Sequence, residues 1–236
     1  MEKGQFRCEM KDMWKEFSKE ATVEEVMLDS TAQLLTKHEL PEIMALVPSL
    51  EGLTVLELGA GIGRYTRQLA KMARHVTAVD FTAKFVNKNR EENGHHDNVD
   101  IIQADVTVLD YPNDSFDLIF SNWLLMYLTD EELLSLTERM LSWLRPGGYL
   151  FFRESCFHKS GDIKVASNHT NYRTPAVYND LMMSVVWEEP EPGRWVYRFD
   201  VTLTKAVETY IKLKNNHNQI CWLMQKVVKD EKTFVQ

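Results

Sequence analysis

Residues 55–80 read VLELGAGIGRYTRQLAKMARHVTAVD. The short apolar run Val55-Leu56-Glu57-Leu58 breaks into Gly59-Ala60-Gly61-Ile62-Gly63. A helix-compatible segment opens on Arg64-Tyr65-Thr66, and a second apolar run closes on Asp80. The acid follows the glycines by about 20 residues, the interval of a nucleoside-binding βαβ unit. Strand, glycine turn, helix and a second strand ending in a carboxylate form the arrangement by which an α/β sheet holds adenosine. Glycines let the backbone approach a ligand closely, and the acid accepts hydrogen bonds from the ribose diol.

Two adenosine cofactors use such a unit, and the glycine spacing separates them. A dinucleotide site has G-x-G-x-x-G, with the pyrophosphate on the helix N-terminus. Here the glycines alternate as G-x-G-x-G behind an acid, Glu57. S-adenosylmethionine carries no phosphate; it presents a sulfonium cation and an amino-acid zwitterion, which an acid entering the loop suits and a pyrophosphate would not. The spacing therefore predicts a class I, Rossmann-like methyltransferase that uses S-adenosylmethionine and releases S-adenosylhomocysteine.

Outward from this unit, strands are predicted at 54–58, 75–80, 99–103, 116–121 and 148–153. Helices at 64–73, 82–92 and 130–144 separate them, and 22–37 and 39–47 also read as helical. Leu144-Arg145-Pro146-Gly147-Gly148 reads as a helix stop and turn. Residues 195–204 and 218–228 form a predicted antiparallel hairpin at the sheet edge. The alternation implies a seven-strand, mostly parallel doubly wound sheet with helices on both faces and right-handed crossovers. In such sheets ligands lie off the C-terminal strand ends. This places Gly59, Gly61, Gly63, Arg64, Asp80 and Phe81 in the cofactor site, with Asp105 and Val106 after strand three and Asn122 after strand four. Asp105 is a candidate acceptor for the adenine amino group or a turn cap; Asn122 faces the cleft.

The chain has 236 residues, 44% of them hydrophobic, enough for one large α/β domain, and a net charge of −8. That balance argues against a nucleic-acid substrate, as does the lack of an N/D-P-P-Y/F tetrapeptide: strand four ends Ser121-Asn122-Trp123-Leu124. Cys8, Cys156 and Cys221 have no metal-ligand spacing and read as reduced cytoplasmic thiols, with no metal. Neither a signal peptide nor a membrane-inserting run is evident.

From Phe120 the sequence becomes more particular: IFSNWLLMYLTDEE, WLRPGGYLFFRESCFHKSGD, SNHTNYRTPAVY and NNHNQICWLMQKV. With VEEVMLDS near the N-terminus and VLELGAGIGRYT, these resemble the phosphoethanolamine N-methyltransferases. The likeness is to the first methyltransferase domain of the plant and nematode two-domain enzymes, from about Trp14 to Val228. It implies methyl transfer to the nitrogen of phosphoethanolamine, the first methylation on the route to phosphocholine. It also leaves room for a second methyltransferase domain in a longer chain. Residues 1–236 are then one domain: an N-terminal helical lid over 1–47, a nucleoside-binding core over 54–153, and a substrate segment with edge strands over 154–228.

A phosphomonoester needs converging cationic and hydroxyl donors. Arg153, His158, Lys159, His169, Tyr172 and Arg173 are concentrated after strand five in an otherwise acidic chain. Arg153 is either a phosphate clamp or a structural partner of Glu154. Through the resemblance, Tyr172 and Arg173 match phosphobase-pocket positions. Lys212 and Lys214 read more readily as a solvated helix face. Nitrogen methylation needs a neutral amine, and so a base or a desolvated cage. Single-domain protozoan relatives use a tyrosine–histidine pair, but Tyr127 stands at the histidine position. Lys19 lies near the tyrosine position, and no tyrosine precedes Tyr65. Tyr127 is therefore the candidate that orients the amine, with packing as its bland alternative and Asp29 as the next catalytic candidate. The resemblance puts Asp29 and Ser30 in the closing lid, Ser30 against the cofactor, with Trp14 and Phe17 as apolar cover. Competing functions are a methyltransferase for another small amine and a silent methyltransferase-like scaffold.

Overall fold

The computed structural model describes residues 3–164, 169–190 and 195–229. One sheet of eight strands organises them: β1 (Thr54–Leu58), β2 (His75–Asp80), β3 (Val99–Gln103), β4 (Phe116–Asn122), β5 (Leu144–Ser155), β6 (Trp187–Glu188), β7 (Val196–Ala206) and β8 (Gln219–Val228). Their spatial order is β3-β2-β1-β4-β5-β8-β7-β6. The first five are mutually parallel; β8 runs antiparallel to β5 and to β7, and β6 antiparallel to β7. The order reverses at β1, between β2 and β4, which is where a doubly wound sheet opens its ligand crevice.

Seven strands were expected and eight are present. The extra one is two-residue β6, too short to leave a periodic signal, which caps the β7 edge. The hairpin is real but wide, because α8 (Glu208–Lys214) lies between its strands. β5 begins at Leu144 rather than after the turn. Its pairing with β4 slips between Phe116 and Leu118, and Gly147 supplies the positive φ of +78° that this irregularity requires.

Helices cover both faces. Alternation along the strands sends Leu56, Leu58, Ile119, Leu150, Phe152 and Trp222 to one core, under α6 (Asp130–Trp143) and α7 (Pro175–Ser184). Val55, Val76, Leu118, Phe120 and Phe151 go to the other, under α3 (Ala32–Met44), α4 (Thr66–Met72) and α8. A capping box of Thr129 and Glu132 starts α6, and Thr174 with Pro175 at the first turn starts α7. α5 (Ala83–Asn93) crosses from β2 to β3.

The N-terminal segment departs most from expectation. α1 (Lys3–Glu16) falls inside the helical lid expected over 1–47 but outside the helices predicted at 22–37 and 39–47, although Met10, Met13, Trp14 and Phe17 stand at helical spacing. These residues meet Ile62, Phe85, Met126 and Tyr127 in a third, smaller cluster. The helix predicted over 22–37 breaks: α2 (Val23–Met27) ends at Leu28, whose φ is +50°, and the chain restarts in α3, which runs through Pro41.

Candidate active site

A cavity opens at the C-terminal ends of β1, β2 and β4. Its floor is the glycine loop, where Gly59 (φ +72°) and Gly61 (φ +55°) adopt backbone that only glycine enters freely. A Cβ on Gly59 would lie 3.1 Å from Leu124 Cβ. Asp80 closes the floor: its Oδ2 accepts from Gly61 N–H (2.9 Å) and its Oδ1 from Thr82 N–H (2.8 Å). Asp80 also lines the cavity, the position from which an acid accepts from a ribose diol. Burial pushes the Asp80 carboxyl up, against the pull of those amides.

Glu57 lies buried beneath the loop, accepting from Thr66 Oγ1 at 2.5 Å. Burial raises it to about 8, with the neighbouring Asp80 charge adding to the effect. Beside Asp80, such an acid suits an incoming cation, whose charge repays the desolvation, and opposes a pyrophosphate. The loop, the acids and the apolar lining by Phe81 and Val106 thus fit an adenosine carrying a positive centre.

The opposite wall is aromatic. Trp14 from α1, Trp123 and Tyr127 after β4, Tyr172 and Tyr210 all line the cavity. Tyr127 meets the Trp14 ring edge-on at 5.4 Å. It sits on a 3-10 turn (Leu125–Tyr127) gripped from two sides. Glu154 accepts from the N–H groups of Leu124 (3.1 Å), Leu125 (2.7 Å) and Met126 (3.3 Å). Arg173 donates to the carbonyls of Leu125 (3.0 Å) and Leu128 (2.6 Å) and pairs with Asp130. Burial raises Glu154 to about 7, the three amides opposing it. Burial also lifts the Tyr127 phenol well above its ordinary value, so it stays neutral and can orient an amine without acting as a phenolate base.

Relatives were found on three levels. A family model described as "Methyltransferase domain" matches residues 55–148. Phosphoethanolamine N-methyltransferase 3 of Arabidopsis thaliana is 49% identical over 96% of this chain and 46% of its own length. Phosphoethanolamine N-methyltransferase 1 of Caenorhabditis elegans is 36% identical over 94% of the chain and 48% of its own. The structure of Haemonchus contortus phosphoethanolamine N-methyltransferase 1 with phosphoethanolamine and S-adenosylhomocysteine matches all of this chain and 52% of its own. Its TM-score is 0.92 at 34% identity. The chain is a relative of the phosphoethanolamine N-methyltransferases, with the class I methyltransferase fold. It spans about half the length of the curated relatives it matches.

Against this frame the residues singled out in the sequence divide. Glu57, Gly59, Gly61, Arg64, Asp80, Phe81, Val106, Asn122, Tyr127 and Tyr172 line one cavity. Gly63 does not. Its Cβ would overlap Asn89 Oδ1 and Asn93 Nδ2 of α5, and Asn93 donates to its carbonyl, so this glycine serves helix packing. Asp105 is likewise outside the lining. Burial works against its charge, but Arg7, Lys11 and Thr107 hold it far below the usual carboxylate range, which makes it the anchor of α1.

Four of the expected phosphate ligands lie elsewhere. Arg153 is fully buried and pairs with Glu39, neither with Glu154 nor with the cavity. Arg173 is consumed by the Tyr127 turn. His158 bonds the Lys159 carbonyl and Asn218, and His169 packs on Phe6 and lies near Glu9. Asp29 and Ser30 form a latch rather than a wall: Ser30 N–H and Oγ donate to Asp162, and Asp29 Oδ1 accepts from Thr31 and Lys214. Lys212 remains on an exposed helix face with Glu208, but Lys214 does not, since it secures that latch. Lys159, named in the sequence among the cations after strand five, lines the cavity, as do Arg7, Ser155 and Ser160, which the sequence did not single out.

Proposed function

We propose that this chain transfers a methyl group from S-adenosylmethionine to the nitrogen of phosphoethanolamine, giving phospho-monomethylethanolamine on the route to phosphocholine. The observation that carries the proposal is the match along the whole chain to a nematode enzyme structure that holds phosphoethanolamine and S-adenosylhomocysteine together. When bound, S-adenosylmethionine supplies an electrophilic methyl group on a sulfonium.

This chain's residues do the rest. Gly59 and Gly61 admit the nucleoside, Asp80 takes its ribose, Phe81 and Val106 flank the base, and Glu57 and Asn122 receive the amino-acid end. Tyr127 and Tyr172 hold the amine between Trp14 and Trp123, where exclusion of water favours the neutral amine over ammonium. Lys159, Ser155 and Ser160 offer donors to the phosphate. We infer further that residues 1–236 form one methyltransferase domain of a two-domain, cytoplasmic enzyme, with a lid over 1–47, a nucleoside core over 54–153 and a substrate segment over 154–228; relatives about twice as long support the two-domain part. Among the described residues no helix is long and apolar enough to cross a membrane.

The test is methyl transfer by the purified chain to phosphoethanolamine and to ethanolamine. Without its phosphate the substrate gives up its charge-assisted contacts to Lys159, Ser155 and Ser160, a loss that should slow ethanolamine by roughly two orders of magnitude or more. Equal turnover of the two would refute the substrate assignment.

A further inference from the structure

Ser155, the last residue of β5, and Ser160 line the cavity beside Lys159, their hydroxyl oxygens 3.0 Å apart. Gln219, the first residue of β8, stands fully buried behind them, and its Nε2 donates to both oxygens. Its Oε1 accepts from Trp123 Nε1 at 2.7 Å. Ser160 Oγ accepts a second bond, from Asn216 Nδ2 at 3.0 Å. The oxygen end of Asn216 accepts in turn from Asn218 N–H at 2.8 Å.

A side-chain amide can sit either way round, and a hydroxyl can give or take a proton. Neither freedom survives here. An indole N–H and a backbone N–H only donate, so the Trp123 contact fixes which end of Gln219 is oxygen, and the Asn218 contact does the same for Asn216. Both NH2 ends are thereby aimed at the serines. A hydroxyl oxygen has two lone pairs, and on Ser160 Gln219 takes one and Asn216 the other. Ser160 therefore cannot accept from Ser155, and the 3.0 Å contact between them runs from Ser160 to Ser155. With one proton from Gln219 and one from Ser160, the Ser155 oxygen is filled as well. Its own proton is unspent, and among the described residues no acceptor meets it. A donor left open on a buried side chain is costly unless a ligand supplies the acceptor.

We propose that Gln219 is a positioning residue that sets substrate specificity: oriented by Trp123, it makes Ser155 and Ser160 donors only. This corner of the cavity then takes a group that only accepts, with the Lys159 ammonium beside it. A fully ionised phosphate is such a group. A substrate hydroxyl in its place would still accept from Ser155, but its own proton would find no lone pair on either serine. The inference rests on the reading above, which gives the phosphate to Lys159, Ser155 and Ser160.

Steady-state kinetics on the purified chain test it, with calorimetry of S-adenosylhomocysteine alongside. Gln219→Met keeps the length of the side chain and removes its amide. It should raise KM for phosphoethanolamine by about tenfold and leave kcat and S-adenosylhomocysteine affinity within about twofold. Ser155→Ala should do the same, and it carries the test if the methionine variant does not fold. The double variant should be no worse than about the poorer single one, because Gln219 acts through the serine it orients. An unchanged KM in folded Gln219→Met or in Ser155→Ala overturns the proposal. So does a parallel loss of kcat and cofactor affinity, which would make Gln219 a support for the β5–β8 pairing alone. Additive losses in the double variant would also overturn it, since the two residues would then act separately. Equal turnover of ethanolamine and phosphoethanolamine by the wild type would refute the substrate reading itself, and this proposal with it, before any variant is made.

Discussion

The cavity floor comes from 27 consecutive positions, residues 54–80, and is tied by main-chain bonds: Gly59 and Ala60 N–H reach Val79 O at 2.9 and 3.0 Å, and Gly61 N–H reaches Asp80. The facing wall is gathered from α1, the turn after β4, residues 159–161 and Tyr172, and side chains hold it. Glu154 and Arg173 grip the Tyr127 turn, Arg7 and Lys11 pin α1 to Asp105, and Asp162 receives Ser30. One region is local and built from backbone. The other is assembled from charges far apart in the chain. The nucleoside site is therefore a property of a short motif, whereas the substrate side is a property of the whole fold.

The sharpest way to break the contrast is at Gly63, because a motif glycine that serves packing should fail through stability. With φ at +85° and a Cβ overlapping two buried asparagines, Gly63→Ala should cost about 2–5 kcal/mol, combining backbone strain with overpacking. Denaturant unfolding would show it. Loss of cofactor affinity in a variant of normal stability would return Gly63 to the ligand site.

Arg173→Ala should cost slightly less, about 2–3 kcal/mol, since it orphans the Leu125 and Leu128 carbonyls while the partly exposed Asp130 returns to water. As the turn loosens, kcat should fall through misplacement of Tyr127, with KM for phosphoethanolamine little changed. A KM effect alone would restore Arg173 as a phosphate contact.

Legibility followed the same division. β1, β2 and β3 fall where the apolar runs placed them, and the acid at the end of β2 reaches its glycine loop, because these features are short-range. Arg153 shows what could not be read. A strand-end arginine looks alike whether it meets a ligand or Glu39, which is 114 positions away. Asp105 has two local readings, acceptor or cap; the structure bears out the cap, with Thr107 N–H donating to it, and adds a third role through Arg7 and Lys11 of α1. The N-terminal break at Leu28 was equally opaque, since a left-handed leucine is imposed by the lid's packing and not by its own preference.

Per pH unit, a smaller effect separates the two regions. Glu57 is raised to about 8 and Glu154 to about 7, both chiefly by burial, so the folded chain holds these protons more tightly than the unfolded one. Their stabilisation is fully present below the ordinary carboxyl value and is lost as pH rises through 7 to 8. Each group should contribute a downward slope of about 1.4 kcal/mol per pH unit within its window. Glu57→Gln should flatten the wild-type profile up to about pH 8, and Glu154→Gln only up to about pH 7. A wild-type stability that rises from pH 5 to 8 would show that neither acid is protonated in the folded chain.

The smallest expected change lies at the lid anchor. Arg7 and Lys11 both bind Asp105, but these are partly exposed contacts, with the Lys11 side chain 39% accessible, so solvent screens them. Lys11→Ala should therefore cost no more than about 0.5–1 kcal/mol, and less at high salt. Its consequence is local: α1 covers the cavity through Arg7, Met10 and Trp14, so a weakened anchor should speed amide exchange in α1 while β1 and β4 stay protected. The variant also frees part of the Asp105 carboxylate. If Asp105 contacted adenine as well as the lid, Lys11→Ala would tighten S-adenosylhomocysteine; if it anchors only the lid, affinity should fall slightly as the cover opens. A loss of stability as large as that of Arg173→Ala would place α1 within the folding core and erase the distinction between a rigid floor and a separately fastened wall.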